Sequence, residues 1–328
     1  MQVILIELLE KLGFQKPIII LDKDSTYLRD KKNLTPFNLY GDIEKLERLN
    51  KVKIFKNIDI NSNSFIKFLK KNNINFGFSI SSRTIFKKKL IDYFKGNFFN
   101  LHDSLLPKER GGGLNSWRIL LNRKKVGNTI HIVDTGIDTG EIILQSEIKL
   151  KKKYPKPIDY DYAQLINVKN LLKKFLLKIK NNFPINKKKQ NIRKREYFAR
   201  LYTNINGALD VDLPPIEFEK FTRAFSEPYE GAWIYALNKY KIHIKDIQIV
   251  SNKKIYPFFA NGRVLKKDNV AVYLIVGGGL IKFNHCYVNG KKHRSIDIIK
   301  INDILRNSVD QIFISKNSIV NIKNFKWI

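Results

Sequence analysis

Between residues 100 and 140 the chain carries three side chains of the kinds that move protons and steady developing negative charge. Asn100 and His102 stand one residue apart in the stretch 100–107 (NLHDSLLP), and Asp138 lies in the turn 134–140 (DTGIDTG). An amide can donate a hydrogen bond to an oxyanion. An imidazole exchanges protons near neutrality, and a carboxylate beside it favours the cation. Each residue alone has a plainer role: the Asn as a turn residue, the His as a satisfied core histidine, the Asp as an Asx turn before Thr139-Gly140. His131 falls within a strand-like run and is expected to be structural. The sets His102, His131, Asp134 and His285, Cys286, His293 hold metal-binding types without a ligand spacing, so no metal is expected.

The elements that must position these residues are legible in the hydrophobic pattern. Apolar positions 5, 8, 9 and 12, closed by Gly13, predict a helix over 3–12. The unbroken run 17–22 (PIIILD) predicts a buried strand. Strands at 52–55, 76–81 and 98–102 then alternate with helices at 62–72 and 85–93. This alternation implies a doubly wound, mostly parallel α/β sheet. Ligands bind beyond the carboxyl ends of the strands in such sheets, and Asn100, His102 and Asp138 are expected at or just past those ends. A short helix at 115–121, a strand at 129–133 and an extended pair at 142–150 follow. A long helix over 161–182 and a basic connector over 187–200 come next. Beyond a helix at 218–226, short β-rich runs at 241–250, 271–276 and 280–283 alternate with glycine turns, which describes a small barrel or sandwich.

At 328 residues the chain exceeds what one core usually organises, so two domains are expected. A net charge of +31 could serve a polyanionic partner such as tRNA, an acidic membrane surface or a phosphorylated substrate. Lysine, however, is spread along the chain together with Asn, Ile, Phe and Tyr, as AT-rich codons would supply, so the excess is read first as a genome bias. Cys286 is the only cysteine, which rules out an intramolecular disulfide and favours a reducing compartment. No apolar run is long enough to span a bilayer. The opening segment is broken by Glu7, Glu10 and Lys11, unlike a signal peptide. A cytoplasmic protein without a membrane partner is expected.

The stretch 100–107 resembles the signature of the folate-dependent formyltransferases, in which an Asn and a His one residue apart precede Ser-Leu-Leu-Pro. The resemblance continues in order and spacing through Trp117, 126–131 (VGNTIH) and 138–142 (DTGEI). It covers residues 73–150 well and 197–250 more faintly, where 228–232 (PYEGA) is similar to the family's entry into a C-terminal barrel-like domain. At this spacing the three residues together read as catalytic. The resemblance implies an enzyme that moves the formyl group of 10-formyltetrahydrofolate onto an amine through a tetrahedral oxyanion. Asn100 would donate to the oxyanion, His102 would shuttle the proton, and Asp138 would hold the imidazole. It further implies folate binding largely through the backbone of two loops, at Thr84, Ile85 and Phe86 and at Asp134, Thr135, Gly136, Ile137 and Asp138. Ser104 and Arg110 are placed in the substrate loop. Sugar-modifying members often carry an Arg where this chain has Gly112.

The implied organisation is a Rossmann-like catalytic domain over 1–205, including a helical connector at 155–205, and a β-rich, OB-like domain over 206–328. Members that formylate methionyl-tRNA carry a basic, glycine-containing insertion after the second strand. Here 22–37 (DKDSTYLRDKKNLTPF) is short and lacks that pattern. The expected substrate is therefore a nucleotide-linked amino sugar of the kind that feeds surface-polysaccharide synthesis, with methionyl-tRNA as the alternative. A non-catalytic, nucleic-acid-binding relative is the second alternative. Nucleic acid is otherwise not expected as a partner, and a homodimer is compatible with this reading. Family domains begin with a strand before the helix assigned to 3–12. The first strand is thus expected to be absent here, through an upstream start codon or a cut chain.

Overall fold

The structure, a computed structural model, describes residues 1–21, 24–236 and 240–317. Asp22 and Lys23, which end the strand expected over 17–22 and open the segment 22–37, lie outside the described residues. The chain divides into two compact units. The first comprises Met1–Gly111, Lys124–Lys151 and Tyr160–Phe198, and the second Gly112–Arg123, Lys152–Asp159 and Ala199–Ile328.

The first unit is the α/β half. Strands β1 (Ile18–Ile20) and β2 (Lys53–Phe55) pair in parallel as a two-stranded sheet. Strands β3 (Gly77–Ile80) and β4 (Phe98–His102) also pair in parallel. After a two-residue β5 (Arg110–Gly111), strands β6 (Lys125–Ile132) and β7 (Ile142–Lys149) complete a four-stranded sheet of order β3-β4-β6-β7. Both β6 and β7 run antiparallel to their neighbours, so this sheet is mixed rather than parallel throughout. The β6–β7 pairing follows from its connection: the two strands are joined by a short turn with no crossover helix, and such a link can only return the chain antiparallel. Strand β8 (Tyr197–Phe198), in the basic connector, pairs in parallel with β5.

Each face of the mixed sheet has its own apolar cover. Phe99 and Leu101 of β4 pack with Ile130 of β6 against Val168, Leu172, Phe175 and Leu176 of the long helix Pro157–Lys180. On the opposite face Phe98 joins Phe65, Ile66 and Leu69 of helix Asn63–Lys71 and Leu90 of helix Lys88–Tyr93. The Asn63–Lys71 helix starts where the Ser62 hydroxyl accepts the Phe65 N–H, an N-cap of the usual kind.

The second unit is β-rich. Strands β9 (Ala232–Ala236), β10 (Tyr240–Ile244), β11 (Gln248–Ser251), β12 (Val264–Lys267), β13 (Val272–Val276), β14 (Gly279–Phe283), β15 (His285–Val288) and β16 (Lys291–Arg294) form two four-stranded antiparallel sheets. Their orders are β16-β15-β10-β9 and β11-β14-β13-β12. The glycines expected to turn the chain do so between β13 and β14, where Gly277 and Gly278 both take positive φ, at 52° and 75°, as a two-residue hairpin requires.

Candidate active site

The strand period places the first two residues. Side chains alternate along β4, so with Phe99 and Leu101 committed to the long helix, Asn100 and His102 emerge together on the other face. The register adds a third residue. Asn100 lies directly opposite His131 of β6, and residues directly opposite in a ladder share a face. Asn100 Nδ2 donates to His131 Nε2 at 3.1 Å, and His131 Nδ1 donates to the Ile132 carbonyl at 2.8 Å. The carbonyl requires a proton on Nδ1, which leaves Nε2 as the acceptor and fixes the Asn100 amide with its nitrogen toward the imidazole. One N–H of that amide remains for a ligand.

His102 is buried, with 8% of its surface exposed. Its Nε2 donates to the Glu109 carbonyl at 2.8 Å, and its Nδ1 lies 3.7 Å from Asp138 Oδ2. His131 Nε2 stands 3.7 Å from the other oxygen, Oδ1. Asp138 therefore sits between two imidazoles.

Asp138 does not reach this position from the end of a parallel strand. Because β6 is antiparallel to β4, its C-terminal end lies beside the start of β4, and the turn 134–140 doubles back across the sheet face. Two local features permit this. Asp138 adopts φ 52°, a left-handed conformation that Asp tolerates better than most residues. Gly140 lies so close to the Ile132 carbonyl oxygen that a Cβ would collide with it. Gly140→Ala is expected to destabilise the protein by about 2 kcal/mol, measured as a lower urea midpoint at unchanged slope.

The carboxylate is completed from the glycine-rich loop, where the Gly111 N–H donates to Asp138 Oδ2 at 2.9 Å. Burial pushes the Asp138 carboxyl upward, but the attraction of the His102 and His131 rings in their protonated forms, together with the Gly111 N–H, outweighs it and holds the group well below the usual carboxylate range. Asp138 is thus a fixed anion at neutral pH, directed at His102 Nδ1.

Ser104 and Arg110 are both buried and engaged in the framework of the loop. The Ser104 hydroxyl donates to the Lys108 carbonyl at 2.9 Å, and the Thr129 hydroxyl donates to the Ser104 carbonyl at 2.6 Å. Arg110 donates to Gln190 Oε1 from Nε and Nη2 at 3.2 and 2.7 Å. Asp134 Oδ1 accepts from the Gly136 N–H and the Thr139 hydroxyl, at 3.2 and 2.5 Å, which stiffens the turn before Asp138. Thr135 and Gly136 are exposed, and Ile137 is half-buried. In the other loop Thr84 donates its N–H to Ser82 Oγ, Ile85 is exposed, and Phe86 sets its ring edge on Phe98 at 4.7 Å between centroids.

His131 is the site residue that sequence reasoning set aside. The signal that could have recovered it is pairing: a strand lying antiparallel beside β4 must present alternate residues to the Asn100 and His102 face. In the second unit, Cys286 is fully buried and its thiol is pushed up to about 11 by burial.

A family model described as formyl transferase matches residues 48–157, which contain all four residues of the cluster. Among curated proteins, the chain is 28% identical over 229 residues to the bifunctional polymyxin resistance protein ArnA of Wigglesworthia glossinidia brevipalpis. That match covers 70% of this chain and only 34% of that protein. It is 25% identical over 238 residues to a methionyl-tRNA formyltransferase of Finegoldia magna, covering 73% of this chain and 74% of that protein. Among solved structures, a sugar N-formyltransferase from Shewanella shares the fold, with TM-score 0.52, 18% identity, and coverage of 70% of this chain and 96% of that one. Residues 48–157 thus match a formyl transferase domain, and the chain shares the fold of the Shewanella enzyme.

Proposed function

We propose that the protein transfers the formyl group of 10-formyltetrahydrofolate to the amine of a nucleotide-linked amino sugar, with Asn100, His102 and Asp138 as its catalytic residues. The observation that carries this reading is the convergence of one amide N–H, one imidazole and one fixed carboxylate on a single sheet face. The donor supplies an activated formamide carbonyl. When an amine attacks that carbonyl, the oxygen gains negative charge, and the remaining N–H of Asn100 is placed to bind it. The proton leaving the amine needs an acceptor. His102 Nε2–H is committed to the Glu109 carbonyl, so Nδ1 is the open position, and a proton arriving there faces Asp138 at 3.7 Å. The same proton then passes to the departing nitrogen.

The residues at the two expected folate loops suit a ligand held mainly by backbone. Thr135 and Gly136 are exposed and lie outside any ladder, and Ile85 offers an exposed apolar side chain. For the acceptor, the sugar reading rests on the short segment 22–37 without a basic, glycine-containing insertion. Methionyl-tRNA is the second reading, favoured by the net charge of +31 and by the long match to the Finegoldia protein.

The test incubates the protein with 10-formyltetrahydrofolate and a panel of dTDP- and UDP-linked 3-amino and 4-amino sugars, alongside methionyl-tRNA. Formylation of at least one sugar is expected. Formylation of tRNA and of no sugar would overturn the acceptor assignment, and no turnover with any amine would overturn the activity.

A further inference from the structure

We infer that Gln190 is a positioning residue of this site, the pin by which the basic connector after the long helix holds Asp138 in place. This inference deepens the formyl-transfer reading and rests on it for its kinetic arm. In the run 187–190 (KKKQ) the three lysines are exposed and Gln190 is half-buried. The connector is anchored just before it, where Lys188 and Ile142 exchange backbone hydrogen bonds of 2.8 and 2.9 Å. Gln190 Nε2 then donates to two carbonyls of the catalytic turn, Asp138 at 2.9 Å and Gly140 at 2.7 Å. Its Oε1 accepts from Arg110, whose neighbour Gly111 gives its N–H to the Asp138 carboxylate.

The contacts close a ring: Gln190 holds the backbone of Asp138 and the side chain of Arg110, and Gly111 holds the carboxylate of Asp138. Such a ring has a physical purpose. Asp138 is a non-glycine residue at φ 52°, a strained conformation that persists only where surrounding contacts impose it. The required side chain must offer two N–H bonds to carbonyls and an acceptor to a guanidinium from one planar group. A carboxamide does this, whereas a carboxylate has no donor. Gln190 lies beyond residue 157, where the family match ends. The machinery that aims Asp138 therefore extends outside the matched domain segment.

The test compares Gln190→Ala and Gln190→Glu with the wild type. Glu keeps the contact to Arg110 and loses both donor bonds, so it separates clamping of the turn from simple pairing with the guanidinium. In both variants kcat for formyl transfer is expected to fall about tenfold, with KM for 10-formyltetrahydrofolate within about twofold of wild type. Independently of turnover, backbone hydrogen exchange at Gly111 is expected to quicken about tenfold, while exchange at Leu101 in β4 stays unchanged. Wild-type kcat and wild-type Gly111 exchange in both variants would overturn the inference, as would recovery of both by Glu alone. If the wild-type protein formylates no amine, the proposed activity fails by itself. Gly111 exchange then decides the role of Gln190, with quickening in both variants supporting it and no change refuting it.

Discussion

Replacing Asp138 with asparagine is expected to lower kcat for formyl transfer about a thousandfold, the scale of a positioned proton-transfer group. Asparagine keeps the shape and can still accept the Gly111 N–H, so the loop has no steric reason to move. What disappears is the negative charge 3.7 Å from His102 Nδ1, and with it the stabilisation of the imidazolium that forms as the amine loses its proton. Steady-state kinetics on the amine found by the substrate panel would measure the loss. Turnover within tenfold of wild type would show that Asp138 is misassigned.

The same substitution has a pH signature in stability. The Asp138 carboxyl is held below its ordinary range in the folded protein, so the folded state binds its proton less readily than the unfolded chain does. Its contribution is complete above the ordinary carboxylate value near about 4 and is lost as pH falls toward the depressed folded value. The difference in unfolding free energy between wild type and Asp138→Asn is therefore expected to be largest at neutral pH and to shrink below about pH 4. Urea unfolding of both proteins at pH 7 and pH 3 measures this. An equal difference at both would show that the charge does not stabilise the fold.

Asn100→Ala is expected to reduce kcat by roughly a hundredfold to a thousandfold, the usual consequence of removing one preorganised oxyanion donor. The amide is half-buried and tied by one hydrogen bond to His131, so its loss also frees that imidazole. Two variants separate the roles. His131→Gln, which can still accept from the Asn100 amide, is expected to retain more activity than His131→Ala. Asn100→Ala is expected to be poor beside either of them. If Asn100→Ala and His131→Ala lowered kcat equally and only slightly, neither residue would be stabilising charge in the transition state.

How much of this was readable from the chain depended on whether the information was local. The Phe98–His102 strand declares itself through alternation: Phe99 and Leu101 must be buried together, so Asn100 and His102 must share the other face. The β1 to β4 strands were legible as short apolar runs and the helices at 62–72 and 85–93 fell between them, whereas the helices Asp24–Leu34 and Ile43–Arg48 between β1 and β2 were not anticipated; the glycine pair at 277–278 announced its hairpin. The direction of β6 and β7 was less accessible, because the 129–133 run looks the same whichever way it pairs. That one ambiguity hid His131. Its place in the cluster is set by the residue opposite it, and pairing partners are set by tertiary register rather than by neighbouring residues.

The sequence by itself determined the chemical inventory and its local order: an Asn and a His two apart on a buried strand, and an Asp in a turn closed by Thr139 and Gly140. It also established that these belong to a formyl-transfer pattern and that a β-rich half follows. Only the tertiary structure decided where they stand. It folded the 134–140 turn back over an antiparallel strand, and it set Asp138 between two imidazoles. It also brought Gln190 from the connector onto the backbone of that turn. The physical reason is distance along the chain. Side-chain periodicity within one element is fixed by backbone geometry, whereas contacts between residues 50 apart exist only because cores on both faces of the sheet fix which loop meets which.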